Sequence, residues 1–158
     1  MNIAKIMIPK VCTVFIHEDD TVRQGIEVMK RHGYTAIPVL DPGERYIGCL
    51  SDSDILRHVL EAGTTDLKEH EKYRIKDILR RDFCPPLGIQ ADIDEVTDAL
   101  LRQNFVPIVD DRNYLCGIVT RRSLIMYYSD TRGYAVPECF FPRFPDFFGK
   151  PLFRSAEM

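Results

Sequence analysis

Two short stretches carry residues whose order suits phosphate and sugar chemistry. Gly48-Cys49-Leu50-Ser51-Asp52-Ser53-Asp54 and Gly117-Ile118-Val119-Thr120-Arg121-Arg122-Ser123 share a glycine, two apolar residues and a hydroxyl residue at the same offsets. A serine or threonine at a helix start sets its hydroxyl beside unpaired backbone N–H groups, where the helix dipole adds partial positive charge. That combination binds phosphate. Asp54 follows Ser51 by three residues and, one helical turn on, can accept hydrogen bonds from ribose hydroxyls. Arg121 and Arg122 follow Thr120 directly. Two cations at a helix start oppose the dipole unless an anion joins them, and a guanidinium grips phosphate through paired hydrogen bonds. The plainer reading is that Ser51 and Thr120 are helix caps alone and that the arginines are solvated. Recurrence of the pattern favours the ligand reading.

The repeat extends beyond these stretches. Ala36-Ile37-Pro38-Val39-Leu40-Asp41 corresponds to Phe105-Val106-Pro107-Ile108-Val109-Asp110, and Tyr46 to Ser51 corresponds to Leu115 to Thr120. Each half is predicted as helix, strand, strand, helix behind a short lead-in, 4–14 in one half and 75–87 in the other. In the first half Asp20 or Thr21 caps a helix with Val22, Ile26 and Met29 at helical spacing, stopped by Gly33. Tyr34 to Leu40 and Tyr46 to Leu50 read as strands about an Asp41-Pro42-Gly43 turn. Ser51 or Asp52 caps the next helix, which carries Ile55, Leu56, Val59 and Leu60 and closes at Gly63. In the second half Asp94 is expected to cap a helix about one turn shorter than its counterpart. The strands Phe105 to Val109 and Tyr114 to Val119 follow, and Thr120 caps a helix with Leu124, Ile125 and Tyr128 on its apolar side. The expected division is repeat 1 over 1–62, a charged connector over 63–74, repeat 2 over 75–128 and a tail over 129–158. The tail gathers six of the nine phenylalanines among four prolines, a composition expected to lie across its own module or a second copy, with partner docking or disorder as alternatives.

Bulk composition narrows the function classes. The 158 residues are 45% hydrophobic and 28% charged, with a formal net charge of −3 and acids and bases interleaved. That argues against a broad footprint for nucleic acid. No run approaches the ~20 apolar residues of a spanning helix, and Met1 to Lys10 lacks the apolar stretch of a secretory signal, so a cytoplasmic location is expected. The five cysteines are widely spaced and are read as buried, reduced thiols. His17, His32, His58 and His70 are scattered, without a nucleophile or carboxylate at telling spacing. No Walker loop or dinucleotide fingerprint is present. Catalysis finds no support here.

The paired motifs resemble those of the CBS-domain pair, or Bateman module, over roughly residues 4 to 128. That resemblance implies an α/β (α+β) fold of tandem CBS repeats with pseudo-twofold symmetry, small sheets flanked by helices, two clefts for adenosine nucleotides, and a homodimer. Gly33 to Pro42 and Gly117 to Arg122 further resemble the cyclic-di-AMP-binding CBS proteins of Gram-positive bacteria (DarB/CbpB type). This second resemblance implies a cleft contacted by Lys10, Cys12, Val14, Tyr34, Thr35 and Ala36, and completed by Thr120, Arg121 and Arg122. It also implies a protein target such as a (p)ppGpp synthetase or pyruvate carboxylase. Ser123 stands where the family motif has Asp, which favours a ligand held by its phosphates. A second cleft would use Ser51, Asp54, Phe83, Cys84 and Phe105, with Pro85 and Pro86 removing backbone donors. No cofactor or metal is expected. The regulatory ligand is cyclic-di-AMP or, if the Asp54 cleft fills instead, AMP or ATP; a ligand-free dimerisation scaffold is the structural alternative.

Overall fold

The computed structural model describes residues 3–132, so the aromatic tail from 133 onward, with Cys139 and the reading of where that tail lies, falls outside the described residues. In the first half, Thr21 caps α1 (Val22–His32) through a reciprocal bond pair with Gln24, and Gly33 ends it in the left-handed conformation, φ 66°. The chain then forms β3 (Ala36–Leu40) and β4 (Tyr46–Ser51) as an antiparallel pair. Ser51 caps α2 (Asp52–Ala62), which Gly63 closes in the same way, φ 68°. The second half repeats this with α4 (Ile93–Arg102), β6 (Phe105–Val109), β7 (Leu115–Thr120) and α5 (Arg121–Thr131).

Two expectations are corrected. Asp92, not Asp94, caps α4, because its carboxylate accepts from both Asp94 N and Glu95 N and so fixes the start two residues earlier. The helix is therefore ten residues against eleven in α1, one residue shorter rather than a turn.

The lead-ins hold the surprise of the fold. The first lead-in supplies β1 (Ile8–Pro9), which pairs antiparallel with β7 of the other half, and then β2 (Ile16–His17), which pairs parallel with β3 of its own half. The second lead-in repeats the exchange. It opens with α3 (Ile75–Ile78), touches β4 through a Cys49–Arg80 bridge, and ends as β5 (Leu87–Gly88), parallel to β6. The sheets are thus β1-β7-β6-β5 and β2-β3-β4. The cores follow the exchange. Ile3 and Ile6 bury among Val96, Leu100, Val106 and Val119, while Ile75 buries among Val22, Ile37 and Leu50. Neither half can bury its apolar face without the other's leader. A third cluster, Leu40, Tyr46, Val109 and Leu115, joins the hairpins end to end. Asn113 reinforces that joint, its side-chain amide donating to Tyr46 O at 2.7 Å.

Some apolar residues assigned to helix faces point outward. Leu56 (59% exposed) and Leu60 (72%) on α2, and Ile125 (63%) on α5, lie on the surface. Cys49 and Cys84 are buried, but Cys12 is exposed and Cys116 half-buried, against the expectation of buried thiols. The histidines are less scattered than their spacing suggests. His58 Nε2 lies 3.0 Å from His70 Nδ1, and His17 Nε2 lies 2.7 Å from Glu44 Oε1.

Candidate functional site

The exchange of lead-ins builds two clefts, each bounded by a leader, the proline-bearing strand of its own half and the hydroxyl-capped helix of the other half. In the Thr120 cleft, β1 and the turn after it bring Ile8, Cys12, Thr13 and Val14 against Tyr34 to Pro38. Asn104, Phe105, Ile118 and Thr120 close the far side around a cavity of about 220 Å³. The turn is fixed by Thr13, whose hydroxyl donates to Pro9 O at 3.0 Å. Tyr34 stands at the mouth with its ring stacked on His32, centroids 5.6 Å apart. At the base, Thr120 and Ser123 satisfy each other: Ser123 N donates to Thr120 Oγ1 at 3.1 Å, and Thr120 N donates to Ser123 Oγ at 2.9 Å. The cap is complete without a charged group.

Of the residues expected to contact a ligand, Cys12, Val14, Tyr34, Thr35, Ala36 and Thr120 line this cavity together. The three cations stand outside its lining. Lys10 reaches Glu44 at 2.7 Å, with its ammonium 5.4 Å from the Phe15 ring centroid. Glu44 bonds Lys10 first and His17 second, and these partners hold its carboxyl below the usual range. Arg121 Nε donates to Leu100 O at 2.8 Å, and Arg122 is half-buried at the start of α5. Ile8, Thr13, Asn104 and Ile118 complete the cavity and were not among the expected contacts. Asn104 was findable, since aligning Pro38 with Pro107 sets it opposite Thr35.

The Asp54 cleft has the same plan and a different filling. Asp54 is buried, with its side chain fully enclosed. Its Oδ2 accepts from Ser51 N at 2.9 Å and Ser51 Oγ at 2.6 Å, and its Oδ1 accepts from Arg80 Nε at 2.6 Å. Arg57 Nη2 adds a longer contact at 3.4 Å. The Arg80 guanidinium lies 4.1 Å from the centroid of the Phe83 ring. Cys49, Cys84 and Phe105 pack into one buried cluster behind it. The Cys84 thiol, followed by burial, pushes the Cys49 thiol well above its ordinary value. Burial does the same to the Tyr46 phenol, which donates to Cys84 O at 2.6 Å. Phe105, expected in this cleft alone, is a wall shared by both.

Interlocked helix-strand-strand-helix halves with a hydroxyl-capped cleft on each side define a tandem CBS module. The chain belongs to the CBS domain family, whose model matches residues 3–61 and 75–130. It is 24% identical over 124 residues to cyclic di-AMP receptor B of Bacillus subtilis, across 78% of this chain and 84% of that protein. It is 28% identical over 116 residues to inosine-5'-monophosphate dehydrogenase of Methanocaldococcus jannaschii, but spans only 21% of that enzyme's length and 71% of its own. Among solved structures, CbpB in complex with c-di-AMP superposes with a TM-score of 0.77 at 19% identity, covering 84% of this chain and 87% of that one. CBSX2 in complex with AMP superposes with a TM-score of 0.69 at 18% identity, covering 83% and 98%. At those identities the superpositions establish the fold. Among the described residues no helix is long and apolar enough to cross a membrane.

Proposed function

We propose that the chain is a non-enzymatic sensor that binds cyclic-di-AMP in the Thr120 cleft and modulates a protein target through that occupancy. The observation that carries this reading is the cavity between the first leader, β3 and the start of α5. It has apolar walls at Ile8, Val14, Ala36 and Ile118 to flank a purine, and Thr120 at a helix start. Arg121 and Arg122 begin the same helix, where a phosphate would be held by charge and dipole together. The match to cyclic di-AMP receptor B runs along most of both chains and supports the same ligand. The dehydrogenase resemblance is confined to a fifth of that enzyme and lends no support to an activity here. Exposed Leu56 and Leu60 on α2, with Ile125 and Tyr128 on α5, supply the apolar surface for a homodimer.

The test is the thermal shift of the protein with cyclic-di-AMP, AMP and ATP in parallel. A ligand at about 100 times its dissociation constant adds about 2.7 kcal/mol, a rise of roughly 5–10 °C at this chain length. A rise with cyclic-di-AMP that Arg122→Met suppresses supports the proposal. A rise with AMP or ATP alone makes the protein an adenylate gauge, and no rise leaves a scaffold.

A further inference from the structure

The two clefts differ by a matched pair of substitutions across the pseudo-twofold axis. Ile8 pairs with Ile118 on β7, and Arg80 bridges Cys49 on β4; Ile118 and Cys49 each follow the motif glycine. Arg80 therefore occupies the position of Ile8, just as Asp54 occupies that of Ser123. Where the residue that closes the capping box is the carboxylate Asp54 the leader supplies a cation, and where it is the hydroxyl Ser123 the leader supplies an isoleucine. A fully enclosed carboxylate needs a counter-charge and hydrogen bonds on its lone pairs. Arg80 provides them, reaching Asp54 Oδ1 at 2.6 Å and Ser51 Oγ at 3.4 Å.

The same side chain covers the features a nucleotide would use. Asp54 Oδ1, the acceptor a ribose hydroxyl would meet, is taken by Arg80 Nε, while Oδ2 is committed to the Ser51 cap. The exposed Phe83 ring, on which a base would stack, lies under the guanidinium at 4.1 Å from its centroid. We propose that Arg80 is an internal occupant of the Asp54 cleft and the residue that decides its specificity, keeping the carboxylate from ribose and limiting the chain to one nucleotide, in the Thr120 cleft. This holds whichever nucleotide that cleft takes. Removing Arg80 leaves the 3.4 Å Arg57 contact on Asp54 as a counter-charge, so the opened cleft retains a ribose acceptor beside a capped helix start.

The probe is AMP, titrated calorimetrically into the wild type, Arg80→Ala and Arg80→Ala/Asp54→Asn. Arg80→Ala is expected to bind AMP about tenfold to a hundredfold more tightly than the wild type, the worth of one displaced charge-assisted hydrogen bond. The added Asp54→Asn change is expected to abolish the gain, placing it in this cleft. A folded Arg80→Ala protein with no gain would overturn the proposal. A second measurement needs no variant: the Arg80 Nε–H resonance of the 15N-labelled wild type. It is expected to stay in place as AMP is added to millimolar concentration, and its displacement by AMP would show that nucleotide already reaches Asp54. Cyclic-di-AMP binding should be nearly unaffected by Arg80→Ala, so a failed sensor assignment and a failed gate give different results.

Discussion

The Thr120 and Asp54 clefts share a backbone and differ in what fills them. At the middle of the first stands Ala36; at the same position of the second stands Phe105, packed with Cys49 and Cys84. One cleft therefore keeps a cavity of about 220 Å³, while the other is occupied by a ring, a buried carboxylate and its guanidinium partner. The two clefts pose the same packing problem twice, and one is filled by side chains packed for cohesion while the other keeps open volume. Cohesion and open volume are thus divided between the two clefts, with Phe105 the wall they share.

The largest effects should come from exchanging the fillings. Phe105→Ala is expected to lower stability by about 3–5 kcal/mol, as for a large aromatic removed from a core, measured by urea unfolding. Ala36→Phe should cost far less, since it grows into the cavity, yet abolish cyclic-di-AMP binding by calorimetry. A stable Ala36→Phe protein that still binds would break the comparison.

Next in size is the pair of motif glycines. A Cβ on Gly117 would lie 2.2 Å from Ile8 O, whereas one on Gly48 would meet Arg80 O at 3.2 Å. The first leader is pressed against β7 as paired strand; the second touches β4 at a single bridge and can give. Gly117→Ala is expected to destabilise by about 1–3 kcal/mol or more, with Gly48→Ala costing less than half as much. Equal losses would show that both leaders sit equally tightly.

The smallest effect is a pH dependence confined to the Asp54 half. His58 lies four residues after Asp54 on α2, and burial, then the neighbouring His70, holds its imidazole below the ordinary value of 6.5. His70 Nε2 in turn bonds Thr64 O at 3.1 Å, tying the connector to α2. Tyr73 packs on the His58 ring, and Glu61 and Asp77 are the nearby acids that partly oppose the shift. Because the folded value is depressed, the unfolded chain binds the proton first. Stability present above pH 6.5 is lost as the pH falls from there through the folded value, with a slope of at most about 1.4 kcal/mol per pH unit for this one group. Melting curves from pH 8 to 5.5 should show the decline in the wild type and a flatter profile in His58→Gln.

Much of this was legible in the chain. The proline-bearing strands and the glycine-to-hydroxyl motifs gave two equivalent halves, because strand and cap signals are local. The cavity-lining residues Cys12, Val14, Thr35 and Ala36 came from resemblance rather than from any local pattern. The exchange of leaders did not show in the sequence, since a two-residue strand carries no periodicity and the partners of Ile8–Pro9 lie about 110 residues away. Arg80 was missed for a related reason. Its meaning rests on comparison with Ile8, and that comparison needs the register of both leaders. The orientation of Lys10 was equally hidden, because Glu44 reaches it only from the turn between β3 and β4, where Glu44 adopts φ 67°.

The most direct test of the central claim is a crystal structure of the full chain grown with saturating cyclic-di-AMP. One dinucleotide per chain is expected, with a base against Val14 and Ala36 and a phosphate at Thr120, and the Arg80–Asp54 pair intact. A nucleotide seated on Asp54 with Arg80 displaced, or an unoccupied Thr120 cleft under saturating ligand, would contradict it.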